Sequence, residues 1–175
     1  MWRKRGLPDG GGVRGDDPHS LFEAMDFTLA QLTPENLELI FQGAFYKTQV
    51  NYSDQEGQEG AKAVSLFVDA AGSRSVIWAN HDMGCLWFCS YFSGFDGHSY
   101  EDMLKASNFY DNYPVHAHVV KVGDGNSFEL DFSYAHFVPD GAGISARDIV
   151  GIYRHFEKMV LRHMTVFNQV MQAVA

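Results

Sequence analysis

Apolar positions change their period along the chain, and each change marks an element. From Thr33, the residues Leu37, Ile40, Phe41 and Ala44 recur at three- and four-residue spacing, which places side chains on one face of a helix. Thr33 suits the N-cap, Pro34 the first helical position and Glu35 the positive end of the helix dipole, while Gly43 marks the end. Period two follows. Tyr46, Thr48, Val50 and Tyr52 alternate with polar residues, the turn-forming SDQEGQEG intervenes, and Val64, Leu66 and Val68 repeat the alternation. Two denser runs, SVIWANHD and CLWFCSYF, are rich in aromatic and β-branched residues and are broken by Met83-Gly84. They are the third and fourth predicted strands.

Helical spacing returns at Ser99, where Asp102 stands in the capping-box position and Met103, Ala106, Phe109 and Tyr110 form a stripe closed by Pro114. Beyond it, VHAHVVKV and SFELDFSYAHF flank Asp124-Gly125, a strong hairpin signal. A two-residue loop there sets Val122 opposite Ser127, Val120 opposite Glu129, His118 opposite Asp131 and His116 opposite Ser133. Val115, Ala117, Val119, Phe128, Leu130, Phe132 and Tyr134 then share the core face. Ser145 and Asp148 open a last helix whose stripe Ile149, Ile152, Phe156, Met159, Val160, Met164, Phe167, Val170, Met171 and Val174 continues to the end. About 30 residues at 1.5 Å rise span roughly 45 Å, against a body about 40 Å across. The helix is therefore expected to overhang, and an apolar overhang calls for a partner, most simply a second copy.

Composition agrees with an α+β domain: of 175 residues 46% are hydrophobic, 14% aromatic and 20% charged, enough to bury a core without metal or disulfide staples. Residues 1–19 are the exception. Gly6, Gly10, Gly11, Gly12, Gly15, Pro8 and Pro18 among charges predict a flexible tail, leaving 20–175 as one domain, with Met25 offering an alternative start. The net charge of −9 argues against nucleic acid and anionic membrane surfaces as partners, because both are bound through Lys and Arg. No run reaches the roughly 18 apolar residues of a membrane span, and no export signal is recognisable. Cys85 and Cys89, four apart on a strand, stand about 13 Å from one another, too far to bridge. Free thiols suit a cytoplasmic home.

Candidate chemistry is sparse. His81-Asp82 with Cys85 and Cys89 contains ligand types, but the two thiols are too far apart to chelate together. Ser93-Gly94 lacks the leading glycine of a nucleophile elbow, and GGGVRG and DGAG match neither the phosphate loop nor the dinucleotide fingerprint. Trp78, Trp87, Phe88, Tyr91, Phe92 and Phe95 have no interleaved Lys or Arg and read as core rather than as a stacking platform. His116 and His118 share a face, with Asp131 opposite, which reads first as an ion pair on a solvated sheet. No cofactor or metal is expected.

Five segments resemble the YbjN family of bacterial proteins, described as "putative sensory transduction regulators". They are LTPENLELIF, CLWFCSYF, the stretch Lys105-Ala106-Ser107-Asn108-Phe109-Tyr110-Asp111, VHAHVVKVGDGNSFELDF and Ala142-Gly143-Ile144-Ser145, within about residues 30–172. Asn108 matches the first Asn of the family's signature, whereas Tyr110 replaces its Trp, Asp111 its second Asn and Ala142 one glycine of the turn. The resemblance implies a fold similar to type III secretion chaperones: a twisted antiparallel sheet of about five to six strands, helices on one face, a long C-terminal helix and frequent dimers. The function it implies is a non-catalytic cytoplasmic regulator or chaperone-like protein-binding module. His116, His118, Asp131, Met164, Phe167 and Met171 are its candidate partner-binding residues. The alternative is a small hydrolase or ligand-binding enzyme using His116, His118 or His136 with Asp131, which requires those groups to meet in a concave pocket.

Overall fold

The computed structural model describes residues 26–53, 62–70, 73–109, 114–123 and 127–174; the expected tail, the Met25 start and the Asp124-Gly125 loop lie outside them. The described elements run β1 (Asp26–Phe27), a 3-10 turn (Leu29–Gln31), α1 (Pro34–Gly43), β2 (Lys47–Ser53), β3 (Lys62–Ala70), β4 (Ser73–Asn80) and β5 (Cys85–Phe92). They continue through α2 (Tyr100–Asn108), β6 (His116–Val122), β7 (Ser127–Phe137), β8 (Ile144–Ser145) and α3 (Ala146–Val174). The architecture is α+β, with a six-stranded antiparallel sheet in the order β2-β3-β4-β5-β7-β6. Strands β2 to β5 form a meander; the chain then leaves through α2, adds β6 at the far edge, and β7 returns between β6 and β5. The hairpin register is the expected one, with His116 opposite Ser133, His118 opposite Asp131 and Val122 opposite Ser127.

Each helix starts where its sequence provides a cap. The Thr33 hydroxyl accepts from the Asn36 N–H at 3.3 Å. Ser99 accepts from the Asp102 N–H while donating to its carboxylate at 2.6 Å, and Ser145 with Asp148 repeats this at 3.0 and 2.7 Å. Such caps satisfy amides that the first turn leaves without partners and contribute about 1 kcal/mol each.

The core lies between one face of the sheet and the helices. Leu66, Val68, Ile77, Leu86, Phe88, Leu130 and Phe132 are buried with Leu37, Ile40 and Phe41 of α1, Met103 and Ala106 of α2, and Ile149, Tyr153, Phe156 and Val160 of α3. Phe88 packs on Phe156 at 5.9 Å and on Tyr153 at 6.3 Å between ring centroids. Tyr153 meets Phe41 edge-on at 5.1 Å, so one residue of α3 joins α1 to the sheet.

Three expectations need correction, and one pairing goes beyond them. Helix α2 ends at Asn108 rather than running toward Pro114, and Phe109 is 71% exposed instead of continuing the stripe. The stripe of α3 is buried through Phe167 and Met171, with Phe95 covering Phe167 edge-on at 5.3 Å; the apolar overhang does not arise, and the argument for a second copy built on it falls away. Trp78 and Trp87 are half-buried rather than core. Finally, β1 pairs with β8, Asp26 opposite Ser145 and Phe27 opposite Ile144, a contact that two-residue strands do not announce by periodicity. Gly143 admits it: a Cβ there would stand 2.6 Å from the Cβ of Asp26.

Candidate functional site

Side chains alternate across a strand, so the register assigns every residue of the sheet to the helix face or to the face turned away. The row Gln49–Phe67–Val76–Cys89–Ser133–His116 crosses all six strands on the second face. Trp78, Trp87 and Ala135 form the row on one side of it, and Tyr91, Asp131 and His118 the row on the other. No described helix belongs to this face. At its centre the Trp78 and Trp87 rings stack with centroids 5.9 Å apart, and the Trp87 indole N–H donates to Cys89 Sγ at 3.1 Å. Phe67 lies half-buried beside them, and Tyr91 is 44% exposed.

His116, His118 and Asp131 sit at the β6–β7 margin of this open face. Both histidines are exposed, their rings 6.5 Å apart. The expected ion pair does not close: His118 faces Asp131 in register, yet among the described residues the ion pairs are Arg74 with Asp69 and Lys105 with Glu101. Asp131 Oδ1 is buried without a hydrogen-bond partner. Burial against the sheet pushes the Asp131 carboxyl above the usual carboxylate range; Glu129 adds to this and His118 opposes it. Burial also raises the Cys89 thiol and, with Cys89 beside it, brings the Tyr91 hydroxyl up to about 12. A raised thiol such as Cys89 is unlike an activated thiolate, whose pKa is lowered. Both cysteines are free and buried.

The three residues named on α3 separate from this face. Phe167 and Met171 are enclosed in the core and Met164 is half-buried, so the structure does not bring them together with the histidines.

A concave feature does exist, on the opposite face. A cleft of about 600 Å³ opens between the first turns of α3 and the end of β7, lined by Tyr134, His136, Asp148, Gly151, Ile152 and His155, with Phe137 to Pro139 and Gly143-Ile144 closing its end. Its origin is a mismatch of lengths. Strand β6 begins opposite Ser133, so the last four residues of β7 pair with β5 alone, and α2, which packs on β6, leaves that corner of the sheet uncovered. The Tyr134 hydroxyl lies 3.3 Å from His136 Nδ1. Burial lowers the His136 pKa, partly offset by the nearby Asp148 carboxylate. Of the histidines expected to act with Asp131, His136 lines this cleft, whereas Asp131 lies on the other face of the sheet. Tyr134, Asp148 and His155 were missed, because only the tertiary arrangement brings them to His136. Among the described residues no three His, Cys, Asp or Glu side chains converge to hold a metal.

No protein-family model and no curated protein matches the chain. Among solved structures it is similar to YbjN from E. coli, described as "a putative transcription regulator", with a TM-score of 0.50 at 12% identity over 77% of this chain and 88% of that one. At this identity the likeness is one of fold, and the YbjN resemblance read from the sequence holds at that level.

Proposed function

We infer that this chain is a non-catalytic regulatory protein that works by binding another protein through the open face of its sheet. The observation that carries this is the stacked Trp78–Trp87 pair, half-buried on a face that no described helix covers. Aromatic side chains offer much contact area at low conformational cost and dominate interface energetics. Around them, His116, His118 and Asp131 supply a polar margin, so three of the candidate binding residues remain in this role. A second copy of the chain is one such partner, since two open faces can pack isologously. A cytoplasmic home belongs to the same reading; the supporting fact is that no described helix is long and apolar enough to cross a membrane. The fold likeness to a protein described as a regulator points the same way.

The enzyme alternative on His116, His118 and Asp131 required a pocket around them, and they lie on the open face instead. The test is light scattering and acrylamide quenching of tryptophan fluorescence at micromolar concentration, for wild type and for Trp78→Ser/Trp87→Ser, each alone and with candidate regulators as added partners. The reading expects an association, with itself or with a partner, that protects the tryptophans and is lost in the double variant while its circular dichroism is kept. Association of equal strength in both proteins overturns it.

A further inference from the structure

The cleft beside α3 is independent of the open face and has features that packing alone does not explain. Gly151 lies in the interior of α3, exposed, and a Cβ built on it would meet nothing within 4 Å. Glycine weakens a helix interior relative to alanine, and among the described residues no contact requires it here. What it does is keep the cleft wall open. Around that gap the sequence sets apolar surface, Ile144 and Ile152, and a few convergent polar groups, His136, Tyr134 and Asp148. That mixture and the volume are those of a small-ligand site.

The charge of the cleft selects the class of ligand. Asp148 is its carboxylate; one oxygen is engaged by the Ser145 hydroxyl, which leaves Oδ1 for a ligand. Burial lowers the His136 pKa, the cleft's other imidazole, His155, is exposed, and the chain as a whole carries −9. An anion is therefore disfavoured, and the aromatic face of Tyr134 is one on which a cation is attracted. We propose that this cleft binds a small amphipathic organic cation, an aryl- or alkylamine whose apolar body lies against Ile144 and Ile152 and whose ammonium is held by Asp148 beside His136 and Tyr134.

The experiment is a titration of the amide spectrum of the full chain with phenethylamine, against 2-phenylethanol and 3-phenylpropionate as neutral and anionic probes of similar shape. The amine is expected to give saturable shifts at His136, Gly151 and Ile152, at least tenfold tighter than the alcohol, with no saturation by the acid. Asp148→Asn, which retains a side chain able to accept the Ser145 hydroxyl, should reduce the amine to the affinity of the alcohol. Gly151→Leu, whose Cβ meets nothing within 4 Å and which should raise the melting temperature, should abolish the shifts. Equal affinity for all three probes, absence of saturable shifts with the amine, or shifts that persist in folded Gly151→Leu would each overturn the proposal. None of these outcomes bears on the open face.

Discussion

The hydroxyl of Tyr153 donates to Ser75 Oγ at 3.2 Å across 78 residues of sequence, and Ser75 is in turn 2.6 Å from Ser90 Oγ. All three side chains are buried. The chain of hydroxyls fastens the first half of α3 to β4 and β5 at a point where an unpaired oxygen would be costly. Burial raises the Tyr153 pKa well above the ordinary phenol value, so the group stays a donor throughout the physiological range.

Removing only that donor is a modest change. Tyr153→Phe leaves Ser75 and Ser90 bonded to each other and is expected to cost about 1 kcal/mol in urea unfolding. Tyr153→Ala also empties the space between Phe41 and Phe88 and is expected to cost about 3–5 kcal/mol. Equal losses in the two variants would show that the ring packing described here is wrong.

His163 makes stability depend on pH. It is buried on α3 with Phe132 edge-on at 5.0 Å, and desolvation lowers its pKa, partly offset by the Ser107 backbone. The unfolded chain therefore takes up the proton first: stability is complete above the ordinary imidazole value of about 6.5 and is lost as pH falls below it. His136 is lowered too and acts in the same sense, whereas Asp131 and Glu157, with raised values, act oppositely at lower pH. Between about pH 5.5 and 7, His163→Leu should flatten the dependence of the unfolding free energy by up to about 1.4 kcal/mol per pH unit. An unchanged slope would contradict this burial.

Phe45 carries φ of 66° and is 97% exposed. A bulky residue in the left-handed region just after a helix is strained, and no buried contact offsets it. Phe45→Gly should stabilise the fold by about 0.5–1 kcal/mol, measured by chemical denaturation, and a loss of stability would refute the strain.

The thiols should be inert. Burial raises both Cys85 and Cys89, so a chromogenic disulfide reagent at mildly alkaline pH is expected to titrate neither in the folded protein and both in guanidinium. Rapid labelling of the folded protein would mean that the open face breathes.

Where a local rule applies, the fold was legible. The β6–β7 register follows from period-two alternation about one turn, and the starts of α1, α2 and α3 follow from cap chemistry at Thr33, Ser99 and Ser145. What eluded the sequence is what depends on coverage. CLWFCSYF is apolar on both sides, so its pattern could not tell that Phe88 would lie beneath the helices and Trp87 on the open face. Tyr153 and His163 carry polar atoms and were passed over in an otherwise apolar stripe, though their rings fill it. The cleft depends on where β6 stops relative to β7, a difference of lengths that no window of sequence contains. Of the candidate site, His116, His118 and Asp131 came together as the register required, and Phe167 and Met171 did not join them, because the core claimed them first.

The placement of α3 also constrains how the protein is made. Its 29 residues supply Tyr153, Phe156, Val160 and Phe167 to the centre of the core, and even β1 is held by a strand, β8, that directly precedes it. A nascent chain emerging from the ribosome has β2 to β7 available long before the surface that must cover Phe88 and Phe132. Until α3 is made, α1 and α2 alone cover the inner face of the sheet, and stable folding waits on the arrival of α3.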